Sequence, residues 1–191
     1  NTNLGNLYFY MRNYQKSEDA YREAFRIKQK IGSFAEMANL YINLGGLYYQ
    51  KEQYDTANLY FNKALKISKE KNDIESIVIA LNNISELASS KKDYIGAFKA
   101  VEEAEKYVNQ TIDNEAKIVI NNRKAICYDN VKQYKEAIKY ASIALETAQK
   151  INARRSLSET AELLSTLYEK NNNPDKALEY FKLAKLYADS V

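Results

Sequence analysis

Large apolar, small and polar positions follow one another along this chain in a fixed order, and the order returns every 40 residues. One column holds Tyr14, Tyr54, Tyr94, Tyr134 and Pro174, and three residues later stand Ser17, Ala57, Ala97, Ala137 and Ala177. Four beyond those come Tyr21, Phe61, Val101, Ala141 and Phe181, then Ala24, Ala64, Ala104, Ala144 and Ala184, alanine in every copy. Upstream lie Leu4, Leu44, Ile84, Lys124 and Leu164, followed by the small residues Gly5, Gly45, Ser85, Ala125 and Ser165. Tyr8, Tyr48, Ala88, Tyr128 and Tyr168 complete seven columns that stay in register through five copies. Self-similarity of this kind marks a repeat architecture.

Within a copy the apolar positions are three and four residues apart, the period of a helix. Each copy reads as two helices joined by a short polar turn such as Lys51 to Gln53 or Asn171 to Asn173. The pattern predicts helices over 1–12, 14–31, 34–51, 54–71, 74–91, 94–109, 113–130, 134–151, 154–171 and 174–189. Breaks between copies fall at Gly32-Ser33, Asn72-Asp73 and Asp113-Asn114, residues that favour turns and helix starts. The all-small columns mark where two antiparallel helices cross closely, with aromatics filling the hollows beside them. Glycine inside a helix costs about 1 kcal/mol relative to alanine. Its use at Gly5 and Gly45 therefore implies tight packing there.

Leu44, Gly45, Tyr48, Tyr54, Ala57, Phe61 and Ala64 resemble the tetratricopeptide repeat pattern at its characteristic offsets, and copies one and five match it nearly as well. Departures are Lys124 in place of Leu, Ala88 in place of Tyr and Ser17 in place of Ala. Lys124 is expected to snorkel its ammonium outwards along its alkyl stem, leaving copy four the weaker joint. The resemblance implies an all-α, right-handed solenoid of five antiparallel helix pairs. It would run as a single array over 1–191, with repeats at about 1–33, 34–73, 74–112, 113–153 and 154–191. The common repeat is about 34 residues long. Six extra residues, at about 1.5 Å each, lengthen the helices by about 9 Å per repeat.

Composition narrows the function classes. Lys and Arg total 28 against 25 Asp and Glu, a net charge of +3 spread along the chain. No basic stripe exists to neutralise many phosphates at once, so nucleic acid is not an expected partner. The longest apolar run, Ile74 to Leu81, is interrupted by Glu75 and Ser76 and falls far short of the roughly 20 residues that span a bilayer. The chain does not begin with Met, and it reads as a processed chain or as a piece of a longer protein. There is no histidine and one cysteine, Cys127, which rules out an intrachain disulfide and zinc sites of the Cys/His kind. A cytoplasmic location is preferred, and a periplasmic one is also compatible with that cysteine count. Cys127 has no His to activate it and reads as a small core residue. Glu102, Glu103 and Glu105 read as a solvated helix face, with Glu102 four residues before Lys106. Gly45-Gly46 sits in a helix without the Lys-Ser/Thr of a phosphate loop. A non-enzymatic chain without cofactor or metal is the expectation.

Most tyrosines occupy repeat columns and are explained by packing; Tyr49 falls on the opposite face from Tyr48. The resemblance assigns the first helix of each pair to a concave groove where such proteins bind partners. One groove column holds Asn3, Asn43, Asn83, Arg123 and Leu163, three asparagines one repeat apart. An Asn amide both donates and accepts, so a ladder of them can pair with the backbone of an extended peptide whatever its sequence. This is similar to the asparagine ladder in the repeat domain of O-linked N-acetylglucosamine transferases. The alternative is that these asparagines cap or bridge helices. Neighbouring columns add Asn6, Gly46, Glu86, Ile126 and Thr166, then Phe9, Tyr49, Ser89, Asp129 and Glu169. Asn82 and Asn122, beside the ladder, and Glu162 complete the candidate groove set. Gly46 has no packing duty of its own and would let a ligand approach the backbone. Glu159, Glu162 and Glu169 would make the C-terminal end of the groove acidic and suit a basic residue in the partner.

Co-chaperone members of the family hold a C-terminal carboxylate with Lys, two Asn, Lys and Arg on three consecutive repeats. This chain offers Ile42, Gly46, Asn83, Val119 and Arg123 in one register, and Thr2, Asn6, Asn43, Ile79 and Asn83 in the other. Both lysines are missing, so that partner is disfavoured. The stretch from Ala177 to Ser190 resembles the last repeat of bacterial regulatory proteins, in which such arrays precede a kinase or DNA-binding domain. The leading expectation is therefore a module that binds a protein or extended peptide within a regulatory protein. The second is a scaffold that self-associates through its terminal repeat, where Leu183, Leu186 and Tyr187 continue the last helix instead of a polar cap.

Overall fold

The structure, a computed structural model, describes residues 1–31 and 34–188. Ten helices follow one another among these residues, packed as sequential antiparallel pairs: α1 (Thr2–Tyr10), α2 (Tyr14–Ile31), α3 (Phe34–Gln50), α4 (Tyr54–Lys71), α5 (Ile74–Ser90), α6 (Tyr94–Val108), α7 (Asn114–Asn130), α8 (Tyr134–Lys150), α9 (Arg154–Lys170) and α10 (Pro174–Ala188). The expected Gly32-Ser33 break lies outside the described residues, as do Asp189 at the end of the last predicted helix and the residues after it.

Four of the five first helices of the pairs stop one or two residues earlier than the apolar pattern suggests, α1 at Tyr10 rather than at residue 12. The reason is a left-handed residue 40 positions apart in every copy: Arg12, Glu52, Lys92, Lys132 and Asn172, with φ between 56° and 62°. At Glu52 the N–H donates to the Tyr49 carbonyl at 2.9 Å, and the next N–H, of Gln53, donates to that of Tyr48 at 2.9 Å. The same pair of bonds closes α1, α7 and α9. This is a Schellman ending, usually given to glycine because a Cβ disfavours positive φ. Helix starts are capped at the expected breaks Asp73 and Asp113, and also at Asp93: they accept from the backbone N–H of Ser76, Ala116 and Gly96 respectively.

The chain divides into two compact units, Asn1–Lys91 with α1 to α5 and Lys92–Val191 with α6 to α10. In the first, Leu40, Leu44 and Leu47 of α3 pack with Tyr21, Ala57, Phe61 and Leu87. In the second, Leu145, Leu157, Ala161, Leu164 and Leu167 form the centre of the core.

Glycine at the crossings has a definite cause. A Cβ on Gly5 would stand 2.4 Å from the Tyr21 ring, and one on Gly45 2.4 Å from the Phe61 ring. The helix approach and the aromatic beside it thus require each other. Ser17 departs from the family's Ala because its hydroxyl donates to the Gly5 carbonyl at 2.9 Å across the crossing of α1 and α2. Repeat five bonds the same crossing in the opposite sense, Ser165 Oγ donating to the Ala177 carbonyl at 2.8 Å. A column not read from the sequence pairs with the Tyr8 column: Tyr48 stacks on Tyr60, Tyr128 on Tyr140 and Tyr168 on Tyr180, with centroids 5.3–5.4 Å apart.

Three expectations about single residues need correction. Lys124 does not snorkel into solvent. Its side chain is only 13% exposed, and its ammonium meets Glu105 Oε1 at 2.6 Å while lying 4.8 Å over the Tyr140 ring. With that charge paired, the ground for a weak joint in repeat four falls away. Glu105 accordingly is not a solvated-face residue. Phe181 does not fill a hollow; it is 48% exposed, since no described helix follows to cover it as α3 and α5 cover Tyr21 and Phe61. Cys127 is buried in α7, as a core residue should be.

Candidate functional site

The side of unit 1 formed by α1, α3 and α5 holds two adjoining cavities. The first, about 210 Å³, is lined by Asn6, Asn43, Gly46 and Asn83 among aromatic and aliphatic neighbours that include Phe9, Tyr21 and Ile42. The second, about 150 Å³, shares Phe9, Gly46 and Asn83 with it and adds Tyr49, Phe61 and Glu86. Six of the eleven candidate residues therefore line one continuous concave strip made by α1, α3 and α5.

Helical spacing explains why these side chains meet. Asn43, Gly46 and Tyr49 are three residues apart on α3, and Asn83 and Glu86 are three apart on α5, so each set shares a face. The polar groups are organised by bonds among themselves. Asn6 Oδ1 accepts from the Tyr21 hydroxyl at 2.7 Å and from Asn43 Nδ2 at 3.2 Å. Burial pushes the Tyr21 phenol above its ordinary ionisation range, so it stays a donor. Asn43 keeps its carbonyl oxygen and its second N–H for another partner. The Asn83 amide, facing both cavities, makes no hydrogen bond among the described residues. A Cβ on Gly46 would meet nothing within 4 Å, so this glycine, unlike Gly5 and Gly45, has no packing reason to be small. Tyr49 is half-buried; its ring leans on Tyr54 with centroids 5.8 Å apart, and its hydroxyl bonds with Ser90 Oγ at 2.7 Å.

The other candidates stand elsewhere. Asn3 is exposed on α1 and lines neither cavity, so Asn6 rather than Asn3 stands with Asn43 and Asn83. Asn82 is half-buried and engaged within the fold. In unit 2, Asn122 Nδ2 donates to Thr160 Oγ1 at 2.8 Å and so bridges α7 to α9, the role named as the alternative for these asparagines; its Oδ1 is buried without a partner. Arg123 is half-buried and engaged, and Glu162 is exposed. Tyr21, assigned from the sequence to packing alone, is the residue that reasoning missed. Its signal was available: among Tyr21, Phe61, Val101, Ala141 and Phe181 it is the one member of the column with a polar tip.

Two stretches, residues 1–70 and 116–184, match the family model described as tetratricopeptide repeat, well over half of the chain. The chain belongs to the tetratricopeptide repeat family. No protein of curated function matches its sequence. Among solved structures the array is similar to the apo form of RapI, with a TM-score of 0.81, 24% identity, and coverage of 97% of this chain and 68% of that one. It is similar also to a Rap protein complexed with competence and sporulation factor, with a TM-score of 0.86, 19% identity, and coverage of 97% and 52%. A third is the Rap conjugation gene regulator of the plasmid pLS20 in complex with the Phr* peptide, with a TM-score of 0.82, 16% identity, and coverage of 98% and 52%. The array spans about half the length of these last two, and identities of this size show a shared fold. Among the described residues no helix is long and apolar enough to cross a membrane, and no group of three or more His, Cys, Asp or Glu could hold a metal ion.

Proposed function

We propose that this array is a non-catalytic module that binds an extended peptide, or an extended segment of a protein, in the concave strip of unit 1. The observation that carries the reading is the asparagine set. Asn6 is spent on holding Asn43, while Asn43 and Asn83 present unspent amide groups in the same cavity as the open glycine backbone of Gly46. Such groups recognise a peptide backbone through paired donors and acceptors. The apolar neighbours Phe9, Ile42 and Phe61 supply the burial that makes those bonds worth more than bonds to water. The ligand-bound Rap structures with the same fold support an interaction role, in keeping with a regulatory protein. Neither nucleic acid nor a bilayer is a partner on this reading, and no cofactor takes part.

Panning a random peptide library displayed on phage against the wild-type chain tests it. Enriched peptides should lose about tenfold or more in affinity when Asn43 and Asn83 are both changed to Ala, a loss of two or more backbone-directed bonds. Helicity by circular dichroism should be unchanged. Equal affinity of the double variant for every enriched peptide would sink the reading.

A second reading, self-association, rests on exposed apolar residues of α10: Leu178 at 54%, Phe181 at 48% and Leu186 at 63%. Mass by light scattering that rises with concentration, and is held at the monomer value by Phe181→Ser, would support it. A monomer at all concentrations rejects it.

A further inference from the structure

A second cavity type lies on the other side of α3, away from the asparagine strip. At about 100° per residue, Tyr41, Leu44 and Tyr48 fall on the face roughly opposite that of Ile42, Gly46 and Tyr49. Here α2, α3 and α4 enclose a chamber of about 220 Å³ lined by Arg22, Phe25, Tyr41, Leu44, Tyr60 and Lys63. Its walls are aromatic: the Phe25 and Tyr41 centroids are 5.3 Å apart, and those of Tyr41 and Tyr60 5.9 Å. Its rim is cationic. Lys63 Nζ lies 5.7 Å from the Tyr41 centroid and 5.5 Å from that of Tyr60, with no carboxylate in ion-pair reach among the described residues. No Asp or Glu lines the chamber.

The repeat supplies an internal comparison. The same three columns recur in unit 2, where Glu105 stands for Phe25, Lys124 for Leu44 and Tyr140 for Tyr60. In that place between α6, α7 and α8, a carboxylate is held 2.6 Å from an ammonium, which itself lies 4.8 Å over a tyrosine ring. The next equivalent, between α8, α9 and α10, has Leu145, Leu164, Tyr180 and Leu183 and is filled by aliphatic packing. One copy is thus plugged by an ion pair and one by leucines. The copy in unit 1 has neither charge of that pair, with Phe25 and Leu44 in their places, and takes its ammonium from Lys63, in the column that holds Ile143 in unit 2.

We infer that the chamber between α2, α3 and α4 is a binding site for a small aromatic carboxylate, whose ring lies among Phe25, Tyr41 and Tyr60 and whose carboxylate pairs with Lys63. The size suits a single ring, since pockets for drug-sized ligands begin at about 300 Å³. Lys63 meets the carboxylate at the lip, where its ammonium is already placed over the rings. Arg22 also lines the chamber, although its guanidinium is shared with Glu18 at 2.9 Å and the Tyr48 hydroxyl at 3.1 Å. Burial raises the Tyr41 phenol above its ordinary range, so it remains a neutral donor beside an anion. The ligand can be a free molecule or the C-terminal aromatic residue of a peptide, which share this chemistry.

Titration calorimetry of the whole chain with benzoate, benzamide, N-acetylglycyl-phenylalanine and its C-terminal amide tests the assignment. The acids should bind and their amides should bind at least about tenfold more weakly, the ratio expected for loss of one charge-assisted bond. Whichever acid binds more tightly names the source. Lys63→Met, which keeps the stem and removes the charge, should weaken the acids by a similar factor. Phe25→Glu with Leu44→Lys, which installs the unit 2 plug, should abolish binding. Asn43→Ala should change nothing here, which separates this site from the peptide strip. The inference is overturned if neither acid binds, if acids and amides bind alike, or if Lys63→Met, folded by circular dichroism, binds the acids as the wild type does.

Discussion

The two units are written in the same repeat columns, but they solve the helix crossing differently. Unit 1 brings α1 against α2 and α3 against α4 with glycine facing a large ring, Gly5 with Tyr21 and Gly45 with Phe61. Unit 2 has Ala125 and Ser165 in the glycine column, with Ala141 and the exposed Phe181 in the ring column. The trade is one of volume: what the first helix omits, the second supplies as an aromatic. The chambers differ in the same spirit. Leu44 and Phe25 leave space in unit 1, whereas Lys124 and Glu105 occupy it in unit 2 with a pair of charges. A repeat therefore fixes where a cavity can form, and two or three substitutions decide whether it is open.

The sharpest way to break that comparison is to place a methyl where unit 1 has none. Gly45→Ala should cost about 3 kcal/mol by urea unfolding, because the buried Phe61 ring must move. The matched exchange Ala125→Gly in unit 2 should cost only about 1 kcal/mol, the helix-propensity difference. Gly46→Ala, with open space around it, should stabilise by up to about 1 kcal/mol; destabilisation there would contradict the open backbone.

Next comes acid. Burial alone would raise the Glu18 carboxyl, but hydrogen bonds from Tyr48, Lys51 and Arg22 outweigh it and hold the group down at about 2. A depressed carboxylate contributes stability that is fully present above its unfolded value, near pH 4.5, and is lost as the pH falls towards 2. This amounts to about 2 kcal/mol once the exposure of Arg22 is allowed for. Glu18→Gln should flatten that part of the stability–pH curve. An unchanged curve would show that the network joining α2 to the end of α3 is not formed in solution.

The ion pair in the unit 2 chamber should show the asymmetry of buried charges. Glu105→Ala leaves a largely buried ammonium alone and should cost about 1–2 kcal/mol, whereas Glu105→Leu with Lys124→Leu should be nearly neutral. Similar losses in both variants would mean that packing, not charge, dominates that place. The smallest effect belongs to the Schellman endings. Glu52→Gly removes a Cβ from a φ of 58° and should stabilise by about 0.5–1 kcal/mol, read as a shift in the urea midpoint.

Much of this molecule was legible in one dimension. Ten helices were readable within two residues because apolar spacing and turn residues recur 40 apart, and recurrence averages out local noise. The left-handed column at Arg12, Glu52, Lys92, Lys132 and Asn172 was not readable, since nothing in those polar side chains announces positive φ. The Schellman bonds of the whole turn impose it. Gly46 was separable from Gly45 only by its column, and the geometry supplied the reason, open space against a ring at 2.4 Å. Lys124 was misread because its partner, Glu105, stands on another helix, 19 residues away.

The sequence by itself determined the helices, their pairing and the columns that touch, because 3.6-residue periodicity and a constant repeat length leave little choice about which face is buried. Only the tertiary structure decided which polar groups are spent and which are free. Asn6, Asn43, Asn83 and Asn122 are the same residue type at similar register positions. Yet one is held by Tyr21, one reaches across to Asn6, one stands open and one is tied to Thr160. Hydrogen bonds depend on distances of a few tenths of an ångström between different helices, and that information resides in the packing.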